Sequence, residues 1–167
     1  MIVFLLGGAI AAPGMAEDPA EEALRQFIEA LVTGGPHVVI AGEPLRQPER
    51  LAAFYNAWNH EYLWSRSGPL ESQLDELLRA IEEAEQHGLL ARHYHADALR
   101  ELASEPAGAS DLALEVLATD AFLAQAMHRS SGAVSPHQLD EEWHLIPPEV
   151  DAVALLLATA KRRAPGL

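Results

Sequence analysis

The sequence predicts an all-α fold, a single compact helical bundle-like domain of six or seven helices with at most one short extended segment. Three observations carry this. Apolar residues recur at helical spacing in several windows. Glycine and proline fall mainly between those windows, as stops. The chain is 167 residues long and 49% hydrophobic, with no repeat and no interdomain linker, which suits one core rather than two.

The elements follow in order. Asp18-Pro19 opens a first helix, with Asp18 as cap, Pro19 at the first helical position, and Glu21 and Glu22 at the positive end of the dipole. Leu24, Phe27, Ile28 and Leu31 form its apolar face, and Gly34-Gly35-Pro36 stops it. Residues 37–45 read as the short extended segment, ending at Gly42. Pro48 opens a second helix to about Asn59 with Leu51, Phe54, Tyr55 and Trp58 on one side, followed by an aromatic exit at Tyr62, Leu63 and Trp64. Leu70, Leu74, Leu77, Leu78 and Ile81 mark a third helix, closed by Gly88. A short helix is expected over 96–102. A long one runs from Asp111 to about Ser130, apolar around most of its circumference and therefore central to the bundle. Pro147-Pro148 opens a last helix carrying Val150, Val153, Leu155, Leu156 and Leu157.

Charge and composition exclude several functions. Asp and Glu number 25 against 11 Lys and Arg, for a net charge of −14. Such a surface repels nucleic-acid phosphates and anionic lipid headgroups. The basic run Lys161-Arg162-Arg163 reads as charges on the last turn of a helix. The absence of cysteine removes disulfides, thiolate metal sites and cysteine nucleophiles. Residues 2–12 are apolar and uncharged, with Gly14 and Ala16 ahead of Glu17-Asp18. This predicts a signal peptide over residues 1–16, export to the periplasm, a domain over 17–167 and no transmembrane span in the mature form, since the run is shorter than the ~20 residues a bilayer needs. A retained anchor or a buried strand is the alternative for this segment.

Candidate chemistry is sparse. No serine sits in a nucleophile motif. His93-Tyr94-His95 resembles a zinc pair only if the segment is a strand; it follows the stop at Gly88 and reads as a loop of hydrogen-bonded imidazoles, so no metal or cofactor is expected. Asp120 lies inside the most apolar helix. It is either a catalytic acid or a carboxylate accepting bonds from a neighbouring backbone, arginine or Trp indole, the reading favoured here. The aromatics from Phe54 to Trp64 either stack on glycans or, as their spacing favours, bury one helix face.

Three stretches carry a resemblance. Residues 51–64 contain Leu-x-x-Phe-Tyr at Leu51, Phe54 and Tyr55, then Leu63-Trp64. Residues 77–102 contain Gly88-Leu89 and Tyr94-His95. Residues 117–144 contain Thr119-Asp120-Ala121-Phe122, then Gly132, Val134, Pro136, Leu139, Asp140 and Trp143. In order and spacing these resemble the scaffold domain that precedes the catalytic module of large periplasmic L,D-transpeptidases, which cross-link peptidoglycan. The resemblance spans roughly residues 20–160. It implies a non-catalytic domain whose partners are an L,D-transpeptidase catalytic module, in cis or in trans, and peptidoglycan. It gives Phe54, Tyr55, Trp64, Gly88, Tyr94, His95, Asp120, Phe122, Gly132, Pro136 and Trp143 structural roles. The family's Ser/Thr-His-Gly-Cys motif, whose cysteine forms a thioester with the stem peptide, has no counterpart here, so no catalytic residue is carried over. Two other readings follow from the residues alone: an enzyme centred on Asp120 or the 93–95 turn, which requires an open cleft there, and a module binding glycan or protein.

Overall fold

The structure, a computed structural model, describes residues 18–34, 38–87, 90–106, 108, 110–131 and 150–164. The expected signal peptide and the positions Gly88, Gly132, Pro136 and Trp143 lie outside the described residues. Among those described there are six α-helices: α1 (Pro19–Gly34), α2 (Pro48–Ala57), α3 (Leu74–Glu83), α4 (Ala96–Ser104), α5 (Asp111–Ser131) and α6 (Ala152–Arg163). The all-α class expected from periodicity is the class observed. No helix among the described residues is long and apolar enough to cross a membrane.

The helix α5 is the axis of the fold. It packs against α1, α2, α3, α4 and α6. An element with neighbours on every side buries residues all round, and Leu114, Val116, Leu117, Ala118, Ala121, Leu123 and Ala124 are all buried. The outer helices bury one stripe each: Leu24, Ile28 and Leu31 on α1, and Leu77 and Ile81 on α3. Asp18 caps α1 as expected, its Oδ1 accepting the Ala20 N–H at 2.9 Å. Asp151 caps α6, accepting from Ala154 N at 2.9 Å.

The boundaries differ from expectation where the backbone changes hand. The second helix ends at Ala57 rather than Asn59, because Asn59 and His60 adopt φ of 55° and 60°. The third begins at Leu74, preceded by a 3₁₀ turn over Glu71–Gln73, so Leu70 packs from the loop. Val150 precedes α6 instead of lying in it, and Leu155, assigned to its apolar face, is 42% exposed. The extended segment is two strands: β1 (Val39–Ile40) pairs antiparallel with β2 (Glu43–Pro44), with Ala41 and Gly42 turning between them at φ of 49° and 80°. Gly42 is thus a hairpin turn and not the end of a lone strand.

Candidate functional site

Four polar residues on α5 are buried: Glu115, Thr119, Asp120 and Gln125, the last donating its side-chain amide to the Ala80 carbonyl at 2.8 Å. Glu115 and Thr119 together hold Tyr55 and the loop after α2 against the central helix, and Asp120 holds the start of α2.

Asp120 is fully enclosed, at 0% exposure. Its Oδ1 accepts the Gln47 N–H at 2.7 Å and its Oδ2 the Arg46 N–H at 2.8 Å. Gln47 is the N-cap of α2, and Pro48 offers no N–H, so Asp120 places its charge at the positive end of that helix from 73 residues away. The same Oδ2 meets His95 Nε2 at 2.8 Å, while His95 Nδ1 meets Glu43 Oε2 at 3.0 Å. Both ring nitrogens face carboxylate oxygens. Both contacts are hydrogen bonds only when both nitrogens carry protons, so the geometry calls for an imidazolium. Burial acts to lower the His95 pKa; the bonds and charges of Asp120 and Glu43 outweigh it and hold His95 above its ordinary value. The His95 backbone is left-handed, at φ 57°, and its carbonyl accepts the Leu99 N–H in the first turn of α4. The residue closes the 3₁₀ turn Ala91–Tyr94 that stands where a loop was expected. The β-hairpin, α2, α4 and α5 therefore meet at one imidazole–carboxylate pair.

Glu115, also at 0% exposure, gathers the loop after α2. Its Oε1 accepts the Leu63 N–H at 2.5 Å and the Tyr55 hydroxyl at 2.8 Å. Its Oε2 accepts the Trp64 N–H at 2.9 Å and the Ser65 N–H and hydroxyl, both at 3.2 Å. Three successive amides make an anion-binding concavity, filled here by the protein's own carboxylate. Burial pushes the Glu115 carboxyl up to about 7, although the Leu63 and Trp64 amides and the Tyr55 and Ser65 hydroxyls pull the other way. Thr119 extends the network. The Trp64 indole donates to Thr119 Oγ1 at 3.0 Å, and Thr119 Oγ1 lies 2.8 Å from the Tyr55 oxygen. With the Tyr55 proton given to Glu115, the Thr119 hydroxyl donates to Tyr55, and the chain runs from indole to threonine to tyrosine to carboxylate. Burial, and then the Glu115 charge, raises the Tyr55 phenol well above its ordinary value.

Of the residues singled out in sequence, Tyr55, Trp64, His95 and Asp120 belong to these two networks, on adjacent turns of α5. Phe54 stacks on Trp58, with centroids 6.2 Å apart, and Phe122 tilts against Trp64 at 6.1 Å. The Tyr94 hydroxyl meets His128 Nδ1 at 2.9 Å near the far end of α5. Two favoured readings hold, and their rivals lose support. Phe54, Tyr55, Trp58, Tyr62 and Trp64 are all buried, as their spacing favours, so they pack the core and leave little ring surface for a glycan. Asp120 and His95 are enclosed, at 0% and 2% exposure, which counts against the reading of an enzyme centred on them. Asp120 takes backbone amides as anticipated, but the Trp64 indole goes to Thr119.

Sequence reading missed Glu115. Its signal equals that of Asp120, an acid between Leu114 and Val116 in the same apolar helix. No cluster of His, Asp and Glu among the described residues has the geometry to hold a metal ion.

A family model described as Scaffold domain matches residues 49–166, from the first turn of α2 to beyond the end of α6. No curated protein and no solved structure matches.

Proposed function

We propose, because the chain belongs to the scaffold-domain family, that it is a non-catalytic platform for peptidoglycan L,D-transpeptidation in the periplasm. It holds a cysteine-bearing catalytic module in position, in cis or in trans, close to the wall. The thioester chemistry rests with that module, since this chain has no cysteine.

The observation that supports the reading is the braced core. Tyr55, Trp64, His95 and Asp120, which carry the resemblance, direct their polar atoms to one another, to α5 and to backbone amides. Such bracing suits a part whose task is position. Transpeptidation joins two stem peptides, and misplacement of reacting groups by about 1 Å costs on the order of a hundredfold in rate.

The test is to delete residues 49–166 in the source cell and quantify diaminopimelate-to-diaminopimelate cross-links in digested wall by mass spectrometry. The expected result is their loss. Unchanged cross-links would overturn the proposal. An immunoblot against the 70–88 segment then separates the two arrangements. A native band much larger than 18.1 kDa means a module in cis; a band at that size means one in trans.

A further inference from the structure

One open cleft, of ≈ 390 Å³, lies between α3, α5 and α6. Its floor is apolar, made by Trp64, Leu70, Leu77 and Phe122. Its rim carries Arg129 from the last turn of α5, Arg162 and Arg163 from the last turn of α6, and Gln73 and Thr159, with Glu76 as an acidic residue of the lining. The volume falls in the range of ligand sites, about 300–1,000 Å³.

The arginines are what require explanation. In a chain of net charge −14, carboxylates are plentiful, and Arg25, Arg66, Arg79 and Arg100 each pair with one or more. Among the described residues, no carboxylate pairs with Arg129, Arg162 or Arg163, a state they share with Arg46 and Arg92; what sets the three apart is that they line one cleft. All three are exposed. A basic residue on the last turn of a helix offsets its dipole. That accounts for each arginine on its own helix. It does not account for two basic helix ends, 33 residues apart in sequence (129 to 162), lining one cleft over an apolar floor, where their like charges repel unless an anion lies between them. Arg162 is already oriented, its guanidinium donating to Thr159 Oγ1 at 3.2 Å.

We propose that this cleft binds a peptide segment that carries a carboxylate beside an apolar side chain. The carboxylate meets the guanidinium forks, which match its two oxygens in plane. The apolar side chain covers Phe122, which is partly buried where Trp64, Leu70 and Leu77 are buried. The inference rests on the cleft and not on the cell-wall reading, and either stands if the other fails.

The experiment is calorimetric titration of the full chain with acetyl-Leu-Glu-Leu-amide and with its glutamine counterpart, at low and at physiological salt. The acidic peptide binds at least about tenfold more tightly, the least expected for a hydrogen bond to a charged group, and the margin narrows with salt. Arg129→Gln and Arg163→Gln each remove that margin, whereas Arg79→Gln, on the exposed face of α3, leaves it. Arg129→Lys keeps the charge and loses the fork, so it falls between and tests the site even if the glutamine variant folds poorly. Equal binding of the two peptides would overturn the proposal, as would an equal loss on Arg79→Gln, which would mean general charge attraction. Displacement of the peptide by succinate at equal concentration would remove the role of the apolar floor and with it the assignment to a peptide.

Discussion

Replacing Glu115 by glutamine separates burial from hydrogen bonding in the core. The carboxyl is raised from the ordinary 4.5 to about 7 by burial. A carboxyl raised on folding binds more protons in the native state than in the unfolded one between those two values. Stability therefore falls as pH rises through that window and levels off above it. The shift of about 2.5 units corresponds to roughly 3 kcal/mol at about 1.36 kcal/mol per unit. Glutamine has no charge to desolvate. Whatever its offset at acid pH, Glu115→Gln should gain about 3 kcal/mol on the wild type between pH 4.5 and 8. Other titrating groups, His95 among them, cancel in the difference. Urea denaturation of both proteins at half-unit pH steps measures it. A difference that stays flat with pH would refute the reasoning and mean that the five donors to Glu115 fully replace the water it lost. Glu115→Ala is the companion variant. It strands the Leu63, Trp64 and Ser65 amides, each costing about 1–3 kcal/mol, so the loss should exceed about 3 kcal/mol.

Two further outcomes follow from the same core. His95→Gln breaks a buried charged pair and should cost about 3–5 kcal/mol near pH 6; because the His95 pKa is raised on folding, its contribution is complete below the ordinary 6.5 and is lost as pH rises through the folded value, so the two denaturation curves should converge in alkali. Gly68→Ala should lose about 1–3 kcal/mol in thermal unfolding, since a Cβ there would lie 2.5 Å from the Leu63 carbonyl oxygen, within the loop that wraps Glu115.

The amino-acid sequence by itself determined the helical class, the helices α1, α3 and α5, and the importance of Asp120. Each signal is local. Apolar spacing of three and four residues states which face of a helix is buried, and an acid among leucines is an anomaly visible without knowing its partners. The same rule applied to Glu115 would have found the second carboxylate. Boundaries were less legible, because left-handed turns such as Asn59-His60 involve residues that enter helices elsewhere. What only the tertiary structure decided is which groups meet. Asp120 reaches amides 73 and 74 residues away, Glu115 reaches a loop about 50 away, and Arg129 shares a cleft with Arg162. The reason is physical. Amide donors exist at nearly every residue and leave no mark in sequence, and a guanidinium acquires a neighbour only when two helices have already chosen their packing.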